Sequence, residues 1–407
     1  MTAVDEPKKL RALLLEGISP VARDLLAAEG LEVELLPKAL QGDELAAKLE
    51  GVHLLGIRSK THVTREVLAR AADLVVLGCF CIGTNQVDLE AAKAGGVPVF
   101  NAPFSNTRSV AELILSEVIA LSRRLGDFSR DVHLGRWKKS AAGSHEVRGK
   151  TLGIVGYGHI GSQVGVLAEA VGMRVLFFDI TPKLPMGNNR PVASLPELFG
   201  ESDFVTLHVP ATPQTKEMIG ERELAAMRPG ACLLNASRGN VVVIPALARA
   251  LAEMRLAGAA IDVYPEEPGG NSDGFESELR GLSNVILTPH VGGSTEEAQE
   301  AIGREVGSSL ARFLASGATT HAVNFPQVEL PKTPAAHRIL NVHQNVPGVL
   351  RDINRIVSDA NANIEAQVLA TDPQVGYLVM DLARHLSAEV HEKVAALPTS
   401  IRTRILD

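Results

Sequence analysis

Aromatic residues are scarce in this chain: 11 Phe, 3 Tyr and a single Trp in 407 residues, or 4%. Cysteine is scarcer still, at three. Cys79 and Cys81 lie in the run CFC, inside an apolar stretch and without zinc-ligand spacing, and Cys232 stands alone. Buried thiols in a reducing compartment are expected, and no metal site. The chain also lacks a basic block. Its 40 Lys and Arg against 47 Asp and Glu leave a net charge of −7, which argues against general nucleic-acid affinity. No apolar run is long enough to span a bilayer, and the opening MTAVDEPKKLRALLLEG has no signal-peptide core of useful length. A cytoplasmic protein that binds neither membrane nor nucleic acid is expected. What remains is ordinary globular material, 45% hydrophobic and 21% charged, long enough for two or three domains.

The stretch Thr151 to Asp179, TLGIVGYGHIGSQVGVLAEAVGMRVLFFD, is the most specific in the chain. An apolar run ends in Gly156-Tyr157-Gly158-His159-Ile160-Gly161, a helical pattern follows, and a second apolar run ends on Asp179. Strand, glycine turn, helix and strand in that order suit a dinucleotide. Gly156 permits a tight turn, Gly158 lets the backbone approach a pyrophosphate, and Gly161 lets helix and strand pack closely. The helix begins at His159 and Ile160, where backbone N–H groups and partial positive charge face the phosphates. Asp179 is placed to accept hydrogen bonds from both adenosine ribose hydroxyls and to repel a 2′-phosphate, so NAD is expected rather than NADP.

Upstream, the apolar runs Leu10–Leu15, Val33–Leu36, His53–Ile57, Leu74–Gly78 and Val97–Phe100 alternate with helical stretches, which predicts βαβ units and a mostly parallel sheet. Ligands of such sheets sit beyond the carboxyl ends of the strands. Polar residues there are candidates: Lys38 after the second run, Arg58-Ser59-Lys60-Thr61 after the third, Asn101, Ser105 and Asn106 after the fifth. Two cations beside a Ser and a Thr suit an anionic ligand. A long helix from Ser109 to Leu125 then leads to Gly135-Arg136-Trp137-Lys138-Lys139. The lone Trp reads equally as a protein contact or as burial in its own domain.

Four further apolar runs follow the glycine turn, Phe204–Val209, Ala231–Ala236, Gly258–Val263 and Val285–Thr288, making six strands of a doubly wound sheet. Their ends carry His208, then Ala236-Ser237-Arg238-Gly239, then Asp262 with Glu267 beyond it, then His290-Val291-Gly292-Gly293. The cofactor is expected to touch His208, Ala236 and Asp262. Arg238, Glu267 and His290 are expected to converge beside a nicotinamide. His290 suits a base for a hydroxyl proton, Glu267 would orient it and raise its pKa, and Arg238 would clamp a carboxylate. An α-hydroxy acid presents such groups on adjacent carbons. A purely structural Pro-His and a solvated PEEP loop are the alternative reading of the same residues.

A helix from Ser294 to Gly317 returns the chain to the first domain, and NFPQVELPKTP (324–334) reads as a linker. The remainder patterns as βαββαβ, a ferredoxin-like layout. The expected division is therefore 1–106 with 294–327 for a flavodoxin-like substrate domain, 107–293 for a Rossmann-like domain, 328–336 for a linker and 337–407 for a small C-terminal domain.

The runs FNAPFSNTRSVAEL, GYGHIG, NASRG, DVYPEEP and LTPHVGGST together resemble the D-2-hydroxyacid dehydrogenase family. With GCFCIGTNQVDL they are most similar to its bacterial D-3-phosphoglycerate dehydrogenases that carry a C-terminal ACT domain, from about residue 10 to the end. The resemblance implies Arg238, Glu267 and His290 as the catalytic residues. It implies that Arg58, Lys60 and Asn106, with Ser59 beside them, hold 3-phosphoglycerate, and that Lys38 and Lys139 match cationic positions of the active-site region. It further implies a homotetramer, and L-serine as an effector bound at His343, Asn345 and Asn363. Two departures stand out: Lys60 replaces a common arginine, and Pro334-Ala335-Ala336 stands where close relatives often have a glycine pair. The other readings are a glyoxylate or hydroxypyruvate reductase, and a non-catalytic NAD-sensing interaction protein.

Overall fold

The computed structural model describes residues 9–268, 274–333 and 336–406. The first quarter of the chain alternates strand and helix: β1 (Arg11–Leu14), α1 (Pro20–Ala28), β2 (Glu32–Leu35), α2 (Gly42–Lys48), β3 (Leu54–Ile57), α3 (Arg65–Arg70), β4 (Val76–Cys79), α4 (Leu89–Ala94) and β5 (Val99–Asn101). Side chains of Ser19, Thr64 and Asp88 accept backbone N–H bonds at the starts of α1, α3 and α4, which stops each preceding loop where the helix begins. The strands are all parallel in the order β2-β1-β3-β4-β5, the flavodoxin-like arrangement. β3 and β4 are apolar and buried throughout because helices cover both faces of a parallel sheet.

The middle of the chain adds α5 (Thr107–Arg123), α6 (Leu125–His133), β6 (Thr151–Val155), α7 (His159–Ala170), β7 (Arg174–Phe178), β8 (Arg190–Pro191), α8 (Leu195–Glu201), β9 (Phe204–Leu207), α9 (Glu221–Ala226), β10 (Cys232–Asn235), α10 (Ile244–Ala252), β11 (Gly258–Ile261) and β12 (Val285–Leu287). The sheet is parallel, β12-β11-β10-β9-β6-β7-β8. It has seven strands rather than the six expected. The extra one, β8, is a two-residue edge strand containing Pro191, too short to show as an apolar run and tolerable only at an edge. Strand order reverses between β6 and β9, the place where doubly wound sheets hold ligands.

The chain continues through α11 (Glu296–Ser316) to β13 (Ala336–Gln344), α12 (Val349–Asp359), β14 (Ile364–Thr371), β15 (Val375–Ala383), α13 (Arg384–Ala395) and β16 (Ser400–Leu406). The last four strands form an antiparallel sheet, β14-β15-β13-β16, the ferredoxin-like order. One face packs on α12 and α13 through Ile339, Ile353, Leu378, Met380 and Val390. Residues one position along the strands, Leu340, Val342, Tyr377 and Val379, join Phe100, Phe313 and Phe325 in the core of the first sheet. Accordingly the chain up to Ser105 and from Gln299 onward forms one compact unit, and residues 106–298 form the other. Arg338 fastens the small sheet to the first unit. It is 2% exposed, bonds Asp381 through Nε and Nη2, and donates to the carbonyls of Ser316, Leu330 and Pro331. Pro334 and Ala335, part of the second departure noted above, lie outside the described residues. Among the described residues no helix is long and apolar enough to cross a membrane.

Candidate active site

At the end of β6 the chain turns at Gly156, whose φ is 91° and whose missing Cβ would come 2.7 Å from the His208 carbonyl oxygen. Any side chain at Gly161 would overlap the Gly156 carbonyl, so α7 can approach the strand only with glycine there. The position a Cβ would take on Gly158 meets nothing within 4 Å. No side chain caps α7, which begins at His159 and Ile160. That combination leaves a backbone concavity and a helix N-terminus able to receive a pyrophosphate. Asp179, past the end of β7, accepts from Tyr157 N at 2.8 Å and from Thr181 N at 2.9 Å. Partial burial raises its pKa, but those bonds outweigh it and hold the carboxyl below its usual range, so it is an anion at neutral pH. His208 is neutral: burial lowers its pKa to about 3, and Nε2 lies 3.0 Å from Thr206 Oγ1.

Asn235, 1% exposed at the end of β10, organises the next turn. Its Oδ1 accepts from Ser237 N and Oγ, and its Nδ2 donates to the Arg238 carbonyl. Ala236 packs beside it on the helix-covered face. Gly239 then presses so closely on the Tyr264 carbonyl that a Cβ would overlap it, which brings the Arg238 turn against the segment carrying Glu267. His290 Nδ1 lies 2.8 Å from Glu267 Oε2 and 3.1 Å from Oε1. The Glu267 hydrogen bond raises the His290 pKa against the opposing pull of burial. Burial raises Glu267, but the bond and charge of His290, the Tyr264 amide and the Arg238 charge together lower it. Arg238, Glu267 and His290 therefore form one electrostatic cluster. Asp262 lies beneath it, 1% exposed, accepting from Thr288 Oγ1, Val291 N and Gly292 N and so holding the backbone on the far side of His290.

The other sequence-predicted residues are placed as follows. Asn106 sits at the N-cap of α5 against Gly293, with its Oδ1 buried and unpartnered. Lys139 is exposed in the loop after α6. Arg58, Ser59 and Lys60 follow β3 in the other unit, where Lys38 pairs on the surface with Glu44 at 2.7 Å. His343 is buried at the end of β13, and Asn345 donates to the Asp372 carbonyl at 2.6 Å. Asn363 is exposed just before β14. His343 pairs with Gly376 and Ile364 with Leu382, so His343 and Asn363 stand at opposite ends of the sheet, about 20 Å apart at ~3.3 Å per residue. Trp137 is 84% exposed, so burial in its own domain is excluded. None of the three cysteines is in a disulfide; Cys79 and Cys232 are buried and Cys81 is partly so.

Residues 115–292 match the model of the D-isomer specific 2-hydroxyacid dehydrogenase NAD binding domain, and 339–402 match an AHAS small subunit-like ACT domain. A D-3-phosphoglycerate dehydrogenase of Dictyostelium discoideum is 54% identical over 98% of this chain and 97% of its own. One from Escherichia coli K12 is 50% identical over 98% of both. The chain belongs to the D-3-phosphoglycerate dehydrogenase branch of the D-isomer specific 2-hydroxyacid dehydrogenases. Like others in this family it is an NAD-dependent oxidoreductase, and the glycine turn of residues 156–161 belongs to its NAD-binding domain. The crystal structure of D-lactate dehydrogenase from Aquifex aeolicus, complexed with NAD and lactic acid, aligns with TM-score 0.65 and 28% identity over 74% of this chain and 95% of that one.

Reading the sequence missed Asn235 and the close approach at Gly239, although a polar residue ending an apolar strand was a visible signal for the first. It also missed Glu16, Gln41 and Gln86, which hold the Arg58 loop.

Proposed function

We propose that this dehydrogenase oxidises 3-phospho-D-glycerate to 3-phosphohydroxypyruvate with NAD, the first step of L-serine biosynthesis, in the cytoplasm. The observation that carries the chemistry is the His290–Glu267 pair beside Arg238 in an NAD-binding domain. The substrate class is supported by D-3-phosphoglycerate dehydrogenases at about half identity over nearly the whole chain. NAD, held at the glycine turn of residues 156–161 and the start of α7, would supply the acceptor for the hydride of the hydroxyl-bearing carbon. His290 Nε2 takes the hydroxyl proton, because Glu267 occupies Nδ1 and fixes the ring. Glu267 stabilises the imidazolium so formed. Arg238 holds the substrate carboxylate through paired hydrogen bonds. Arg58, Ser59, Lys60 and Asn106 receive the remaining anionic and hydroxyl groups, with Lys38 and Lys139 adding positive potential.

In this proposal residues 1–106 with 294–327 bind substrate, 107–293 bind NAD, and 337–407, beyond a linker of 328–336, regulate. L-serine is the effector. Since His343 and Asn345 lie far from Asn363 along the sheet, one serine touches both sets only if a second chain supplies one of them. A homotetramer meets that need, and the exposed Trp137, Leu134 and Val132 suit another contact between copies. The test is steady-state kinetics with 3-phosphoglycerate and NAD, with and without L-serine, beside glyoxylate and hydroxypyruvate. Faster turnover of an unphosphorylated keto acid would make it a reductase, and absence of any turnover would make it a sensor.

A further inference from the structure

Beyond the end of β1, Glu16 adopts a left-handed backbone conformation with φ 62°, uncommon for a residue with a side chain. The turn sends its carboxylate beneath the loop that follows β3. Oε1 accepts from Arg58 N at 3.1 Å and Thr61 N at 2.8 Å, and Oε2 accepts from Lys60 N at 2.9 Å. The Glu16 carbonyl also accepts from Arg58 Nη1 at 3.4 Å. Two glutamines hold the same loop. Gln41 donates to the Lys60 carbonyl at 2.5 Å and accepts from His62 N at 3.2 Å, and Gln86 donates to the Arg58 carbonyl at 2.7 Å. Three segments, at the end of β1, the start of α2 and the loop between β4 and α4, thus clamp the main chain of five residues.

We infer that Glu16 is the positioning residue of the phosphate-reading loop, setting Arg58, Ser59 and Lys60 in place by occupying the loop's own amides. The inference rests on the proposed assignment of the substrate phosphate to that loop. Backbone N–H groups in such a turn are an anion nest, and here a carboxylate of the protein fills it. The amides of Arg58, Lys60 and Thr61 are therefore taken, and the phosphate is read mainly by side chains. Charge and geometry make opposite predictions about Glu16. As a mere neighbouring anion it repels the phosphate, and its removal would tighten binding. As a clamp it fixes three amides by charge-assisted bonds, and its removal loosens the cations above. Glutamine keeps the shape but offers one acceptor where the loop needs two.

The test compares wild type, Glu16→Gln, Glu16→Asp and Arg58→Ala in the reductive direction with NADH. KM and kcat are measured on 3-phosphohydroxypyruvate and on hydroxypyruvate. Glu16→Gln is expected to raise KM for the phosphorylated substrate about tenfold or more and to lower the phosphorylated-to-unphosphorylated kcat/KM ratio by a similar factor. Glu16→Asp, one methylene too short, does not restore it. An unchanged or lower KM, or equal losses on both substrates, would overturn the inference. Arg58→Ala separates the two levels. If it collapses the ratio while Glu16→Gln does not, only the clamp fails; if it leaves the ratio intact, the phosphate assignment fails and the clamp with it. Should Glu16→Gln not fold, Gln41→Ala unties the same loop with Glu16 in place, and an unchanged ratio there overturns the clamp.

Discussion

Glu267 grips His290 at one ring nitrogen only: Nδ1 lies 2.8 Å from Oε2, which leaves Nε2 on the opposite edge of the ring. The pairing selects the tautomer and raises the basicity of the imidazole together. His290→Ala is expected to lower turnover by roughly two to four orders of magnitude, the usual worth of a general base. Turnover near wild type would remove His290 from the mechanism.

Glu267→Gln should move the acidic limb of the kcat/KM profile for alcohol oxidation to lower pH. The base must be neutral, and its pKa is raised chiefly by the Glu267 hydrogen bond. The same pair predicts a stability window. The raised His290 contributes fully below its ordinary value of 6.5 and loses this as pH rises through its folded value. Glu267, lowered from 4.5, loses its contribution as pH falls through its own folded value. A pH profile identical to wild type in Glu267→Gln would show that the pair is not coupled in solution.

Glu117 supplies a second pH dependence. It is 3% exposed on α5, with Oε1 unpartnered, and burial with the Asp262 charge raises its pKa to about 8. Folding therefore takes up a proton between its unfolded value of 4.5 and about 8, so stability falls as pH rises across that range. Glu117→Gln should flatten this dependence and stabilise the protein by roughly 3 kcal/mol at pH 7. Melting curves at pH 5 and pH 8 check it, and an equal Tm difference at both would refute it.

Asp179→Ala should raise the NADP-to-NAD ratio of kcat/KM, because it removes the charge that repels a 2′-phosphate. Since Asp179 also holds Tyr157 N and Thr181, both efficiencies fall, and only their ratio reports selection. A constant ratio would assign selectivity elsewhere.

Asn345→Ala and Asn363→Ala should each abolish serine binding while basal turnover persists. If the site spans two chains, each pair made of one chain of either variant recovers one of its two sites, whereas pairs of like chains recover none. Calorimetry on the single and mixed preparations decides. Binding that survives in Asn363→Ala would place the ligand within one chain.

Much of this molecule was legible along the chain. Short continuous apolar runs, helical stretches between them and the glycine turn before Asp179 are local signals, and they led to three sheets and an NAD site because strand type, helix face and turn chemistry depend on near neighbours. β8 escaped because two residues, one a proline, carry no periodicity. Other features were set only by folding. Glu16 reaches amides 42 to 45 residues away, and no spacing rule predicts which strand end a carboxylate will cross to. Gly239 looked like one more turn residue until Tyr264 was found packed on it. The small C-terminal sheet read as a separate body, yet its second face completes the core of the first sheet, since hydrophobic surface is buried wherever complementary surface lies, whatever the distance in sequence. The two ends of the serine-candidate cluster were adjacent as a list of polar residues and are separated by the length of a strand. Sequence determines the local chemistry of each segment; which chemistries meet is decided by long-range packing and by backbone hydrogen bonds that only the folded chain can close.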